Sequence, residues 1–191
     1  MKTKIAVFAS GSGSNFRAIQ EAIECGDLQA SIELVVTDHP GAFVVTRANN
    51  FGIEVLELAP KTFESKAAYE EAIVSELRAK DVEWVILAGY MRLISDVLLN
   101  AYPNRIVNIH PSLLPSFPGK DAIGQAMEHG VKVTGVTVHY VDAGMDTGPI
   151  IAQEAVEVCD GDRTATEERI HQVEHELYPK TLNSLFNKAT F

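Results

Sequence analysis

The chain has 191 residues, 46% of them apolar, which predicts one domain over 1–191 with material for a sizeable core. Sixteen basic against 26 acidic residues leave a net charge of −10, which argues against a general nucleic-acid or anionic-membrane binder. No apolar run approaches the length of a bilayer span.

The N-terminus superficially resembles a secretion signal, but its apolar run, Ile5 to Ala9, is short and a Gly-Ser loop follows at once. It is read as a first strand. Cys25 and Cys159 form no C-x-x-C pair. They point to a reduced cytoplasmic protein, with a single disulfide left open.

Residues 4–9 form the first predicted strand. Ser10-Gly11-Ser12-Gly13-Ser14 follows, and Asn15 is the expected N-cap of a helix with Phe16, Ile19 and Ile23 on one stripe, stopped by Gly26. Strands are predicted over 32–37 and 53–58 with a helix over 43–50 between them. A long helix over 64–80 carries Tyr69, Ile73 and Leu77 at intervals of four. Residues 84–88 are apolar throughout, as a parallel strand covered on both faces requires. Ser95 is the expected cap of a short helix to 100, and a fifth strand covers 106–109.

The alternation then changes. A helix over 122–129 precedes two extended runs, 134–141 and 149–158, joined by an Asp/Gly turn segment and read as antiparallel. Thr164 and Glu167 match a capping box for a long last helix, in which Pro179 is expected to make a kink or break. The fold class is therefore α/β: an open, mostly parallel twisted sheet, Rossmann-like, with an antiparallel C-terminal edge and a long C-terminal helix.

Ligands of such sheets bind beyond the carboxyl ends of the strands. Three loops, 11–15, 89–94 and the one after His110, follow parallel strands and should face one crevice. The first suits a monophosphate at a helix N-terminus, or is a tight turn using glycine for geometry alone. A third glycine for a dinucleotide is missing, since Phe16 takes its place, although Asp38 ends the second strand where a ribose-binding acid would stand. Asn108 and His110 lie two apart in a strand, hence on one face: an amide donor beside a titratable imidazole. They also suit a capped strand end. Asp142 and Asp146 serve as turn formers or, one of them, as the partner of His110. Met91, Leu93 and Ile94 suit core packing or an apolar ligand wall. His171-Gln172-Val173-Glu174-His175 matches H-x-x-E-H, but no acid follows Glu176 to complete a zinc site, so a solvated or substrate-facing helix surface is preferred.

Gly11–Asn15, Ala88-Gly89-Tyr90-Met91-Arg92, Asn108-Ile109-His110-Pro111-Ser112-Leu113-Leu114-Pro115 and the stretch 142–149 together resemble the phosphoribosylglycinamide formyltransferase family over essentially the whole chain. The resemblance implies a single formyltransferase domain that moves the formyl group of 10-formyltetrahydrofolate to glycinamide ribonucleotide in purine biosynthesis. It implies that Asn108 binds the oxyanion, that His110 is the general acid, and that Asp146 holds His110 and raises its pKa. It assigns Gly13, Ser14, Asn15, His171 and Glu174 to the ribonucleotide. It assigns Lys66, Met91, Arg92, Leu93, Ile94, Asn108 and Val141 to the folate, and suggests a cis Leu114–Pro115 bond. No metal is expected. A homodimer is compatible with the sequence, which marks no apolar stripe as its interface.

Three alternatives accompany this reading: a formyltetrahydrofolate hydrolase, a methionyl-tRNA formyltransferase and a non-catalytic nucleotide-binding module. The first two normally carry an extra domain for which 191 residues are expected to leave no room, and −10 suits tRNA poorly.

Overall fold

The computed structural model describes residues 1–188. Seven strands form one sheet in the order β3-β2-β1-β4-β5-β6-β7. The strands are β1 Thr3–Phe8, β2 Ala30–Thr37, β3 Val55–Glu57, β4 Trp84–Leu87, β5 Ile106–His110, β6 Val133–Tyr140 and β7 Ile150–Glu157. The first five run parallel, and the last two pairings are antiparallel. The expected antiparallel edge is present.

The helices are α1 Ser14–Cys25, α2 Phe43–Asn50, α3 Lys66–Ala79, α4 Asp96–Ala101, α5 Ala122–His129 and α6 Arg163–Lys188. Successive strand residues point to opposite faces, and this alternation sorts the core into two layers. Ile5, Val7, Trp84, Ile86, Val107 and Ile109 pack with Phe16 and Ile19 of α1 and with Ile170, Tyr178 and Leu182 of α6. Ala6, Phe8, Val85, Leu87 and Ile106 pack with Tyr69, Ile73 and Leu77 of α3 and Leu98 of α4. A sheet covered on both faces explains the unbroken apolar run of β4.

The helix ends depart from expectation in three places. Asn15 does not cap α1. Gly13 stands at the cap position with φ 73, and only glycine fits there, since a Cβ would lie 2.6 Å from Val44 Cγ2. Ser95 precedes α4, yet its side chain makes no capping bond. The buried Glu70 carboxylate does that work instead, accepting from the backbone N–H of Ser95 at 3.1 Å and of Leu98 at 3.2 Å. Thr164 lies inside α6, and Asp162 caps it by accepting from Ala165 N at 2.9 Å. Pro179 does not break α6, which runs on to Lys188. Tyr178 and Leu182 on either side of it are fully buried, and Tyr178 Oη donates to Leu87 O at 2.7 Å. Packing therefore offsets the one N–H that proline lacks.

Candidate active site

The strand order turns outward between β1 and β4, so the loops that follow these two strands part at the middle of the sheet. Ser10 ties them together. Its N–H donates to Gly89 O at 3.0 Å, and its Oγ accepts from Met91 N at 2.9 Å and donates to Asp38 Oδ1 at 2.6 Å. Asp38 is thus a buried anchor, not a ribose ligand, and it lies outside the crevice wall. Beyond these strand ends lies a crevice of about 850 Å³. All three predicted loops line it, as do α6 and the loop after β6.

β5 puts Asn108 and His110 on the face opposite Val107 and Ile109, and both line the crevice. His110 is 5% exposed. Its Nε2 lies 2.9 Å from Phe117 O, and its Nδ1 lies 3.5 Å from Asp146 Oδ2. A carbonyl and a carboxylate accept and do not donate, so a ring carrying a proton on each nitrogen satisfies both. Asp146 is held for this contact: it adopts φ 55, and its Oδ2 accepts from Gly119 N at 2.8 Å. Asp142 is spent on its own turn, accepting from Gly144 N at 3.0 Å and from Thr147 Oγ1 at 2.6 Å. The Thr147 bond holds the Asp142 carboxyl below its ordinary pKa. The structure therefore brings Asp146, not Asp142, to His110.

The loop carrying these groups is clamped. Thr137, directly across from His110, donates from Oγ1 to Ser112 O at 2.7 Å and accepts from Leu114 N at 3.1 Å. Gln153 on β7 donates to Leu114 O at 2.9 Å. Leu114–Pro115 is cis.

At the other end of the crevice, Gly13, Ser14 and Asn15 open α1, whose N-terminus no side chain among the described residues caps. Asn15 is buried, and its Nδ2 donates to Glu174 Oε2 at 3.2 Å. Its Oδ1 is buried without a hydrogen-bond partner among the described residues. Glu174 Oε2 also lies 3.1 Å from His171 Nδ1, and that hydrogen bond raises the His171 pKa. The His175 ring stacks on His171 at 6.4 Å, and burial lowers its pKa. Glu174 thus serves α1 and His171. No group of three or more His, Cys, Asp or Glu able to hold a metal occurs among the described residues.

Met91, Arg92, Leu93, Ile94 and Val141 line the crevice, Met91 and Leu93 as exposed apolar side chains. Lys66 does not line it: it is the first residue of α3 and lies outside the wall. Spacing gave no sign of this, because α3 begins beyond the crevice and the reach of a lysine is not written in its position. No sequence motif marks His139, which is 2% exposed and lines the crevice beside Asn108. Its signal is the antiparallel register of β5 and β6, which pairs Asn108 with His139 and which a lone sequence does not display.

Residues 3–182 match the formyl transferase family. The chain belongs to that family. It is 56% identical over 183 residues to phosphoribosylglycinamide formyltransferase of Bacillus subtilis (strain 168), covering 95% of this chain and 94% of that one. It superposes with a TM-score of 0.95 on the crystal structure of phosphoribosylglycinamide formyltransferase from Bacillus halodurans, at 54% identity, covering 98% and 97% of the two chains. Against glycinamide ribonucleotide transformylase 1 from Geobacillus kaustophilus the TM-score is 0.94 at 57% identity, with 97% and 99% covered. The family membership, the α/β fold and the folate-dependent formyltransferase class agree with what the motifs implied.

Proposed function

We propose that this chain transfers the formyl group of its co-substrate 10-formyltetrahydrofolate to the amino group of glycinamide ribonucleotide, with Asn108, His110 and Asp146 as its catalytic groups. The observation that carries the reading is their convergence in one crevice between a helix N-terminus and an apolar loop, in a chain that shares 56% identity with a phosphoribosylglycinamide formyltransferase.

The amine nitrogen attacks the formyl carbon, a C–N bond forms, and the carbonyl electron pair moves onto oxygen. An N–H of Asn108 stabilises that oxyanion. Collapse re-forms the carbonyl and breaks the bond to the folate nitrogen, which is a poor leaving group unless protonated. His110 supplies that proton from Nε2, which turns from Phe117 O to the folate nitrogen while Nδ1 stays on Asp146, and the attacking amine gives one up, so the transfer is neutral in protons. Asp146 orients His110 and balances its charge across 3.5 Å.

The ribonucleotide phosphate belongs at Gly13, Ser14 and Asn15, where the first-turn N–H groups and the helix dipole favour an anion. The unpartnered Asn15 Oδ1, His171 and Glu174 are polar atoms suited to the ribose and glycinamide end. Met91, Leu93, Ile94 and Val141 give the pterin its apolar walls, with Arg92 among them. Lys66, set outside the wall, is left to the outer part of the folate. The reading takes 1–191 as one formyltransferase domain. Cytoplasmic residence goes with this reading, supported by two free cysteines and by phosphorylated substrates that do not cross membranes unaided.

Mixing protein, 10-formyltetrahydrofolate and glycinamide ribonucleotide tests it. Tetrahydrofolate release that requires the ribonucleotide is expected. Equal release without it points to the hydrolase, and no release in either mixture sinks the enzyme.

A further inference from the structure

Asn108 can stabilise an oxyanion only if its amide nitrogen, and not its oxygen, faces the reacting group. Something must settle that choice. Asn108 and His139 stand directly opposite each other on β5 and β6, hence on the same face of the sheet. His139 Nδ1 lies 2.8 Å from Tyr140 O, and a carbonyl only accepts, so Nδ1 carries the proton. A neutral ring has no second proton, which leaves Nε2 bare. That bare nitrogen lies 3.4 Å from Asn108 Nδ2. With the amide reversed, the Asn108 oxygen would meet it lone pair to lone pair.

We infer that His139 is a positioning residue for formyl transfer: its bare Nε2 draws one N–H of Asn108 and leaves the other N–H of that nitrogen for the oxyanion. The inference rests on the oxyanion role proposed for Asn108. Burial, first, holds the His139 pKa below its ordinary value and keeps the ring neutral. The charged groups facing the ring pull both ways. Asp146 Oδ1, at 3.8 Å, and Asp142 favour a protonated ring, and His110 on β5 opposes it. A proton on Nε2 would reverse the pairing, because the ring would then donate and the amide would turn its oxygen toward it.

The tautomer can be read without any variant, by 15N NMR of the intact histidine-labelled protein. A protonated Nδ1 and a bare Nε2 on His139 at neutral pH are expected, and a protonated Nε2 overturns the inference. In kinetics, His139→Phe fills the volume but offers no acceptor. It should lower kcat ~10-fold or more, short of the ~10²–10³-fold lost with an oxyanion donor, and leave KM for both substrates unchanged. His139→Gln, whose side-chain oxygen can accept from Asn108, should recover part of that loss. In an Asn108→Ala background His139→Phe should cost nothing further. Additive losses, a rise in KM alone, or wild-type turnover of His139→Phe each overturn the inference. Wild-type turnover of Asn108→Ala overturns the oxyanion role and the positioning role with it. The tautomer measurement tells that failure from a failure of His139 itself, and a His139→Phe chain that does not fold leaves it decisive.

Discussion

Two ring nitrogens of one histidine summarise the chemistry at the scale of a residue. His110 faces an oxygen on each side, Phe117 O at 2.9 Å and Asp146 Oδ2 at 3.5 Å. Its strand neighbour on the same face, Asn108, has its amide set by the His139 ring. Neither side chain is part of the apolar core, so the fold survives shortening either, although His110→Ala leaves Phe117 O and Asp146 without their partner and lowers stability. Asn108→Ala and His110→Ala are each expected to lower turnover ~10²–10⁴-fold, since an oxyanion donor and a general acid typically contribute that much. Circular dichroism should stay close to wild type for both, and His110→Ala should unfold at a somewhat lower temperature in a single transition. Turnover within a few-fold of wild type for both variants would remove them from the mechanism.

At the scale of an element, the start of α4 depends on a charge from another helix. Glu70 on α3 is 2% exposed, and its carboxylate receives the N–H groups of Ser95 and Leu98. Helix α4 is six residues long and has no side-chain cap of its own. Loss of the Glu70 carboxylate leaves buried donors unpaired, which costs ~1–3 kcal/mol. Glu70→Ala should lower the urea midpoint accordingly with an unchanged slope, and it should raise KM for the folate, because α4 follows directly on the loop 89–94 that lines the crevice. An unchanged midpoint would show that water or the neighbouring helix turn replaces the carboxylate. Ser10 fastens the other end of that loop through Met91 N.

For the whole molecule, three histidines with shifted pKa values shape stability against pH. Burial depresses His139 and His175, so the unfolded chain takes up their protons first, and the stability they carry falls as pH drops below ~6.5. His171 runs the opposite way. Its hydrogen bond to Glu174 raises its pKa, so its contribution is complete below ~6.5 and fades as pH climbs through the raised value. The stability gap between wild type and His171→Gln should therefore narrow from mildly acidic to alkaline pH in urea titrations. A gap constant across that range would mean the His171–Glu174 contact carries no net stability.

Periodicity and punctuation were enough for the sheet. The apolar run of β4, the four-residue spacing of Tyr69, Ile73 and Leu77, and the Asp/Gly turn before β7 are local signals, and each produced its element. Motif order likewise placed Asn108, His110 and the Gly13 loop at strand ends, hence at one crevice, because parallel strands present their carboxyl ends together. What periodicity and spacing left illegible were the partners of the polar groups; Asp146 as the partner of His110 was legible only through the family resemblance. Asn15, expected to cap its own helix, reaches Glu174, 159 residues away. Ser95, expected to cap α4, yields to Glu70, and Asp38, which stands where a ribose-binding acid would, holds Ser10. Residue types and local spacing determined which polar groups this protein would have near its strand ends. Only the tertiary structure decided their partners, because a hydrogen bond requires a donor and an acceptor about 3 Å apart, and separation along the chain says nothing of that distance.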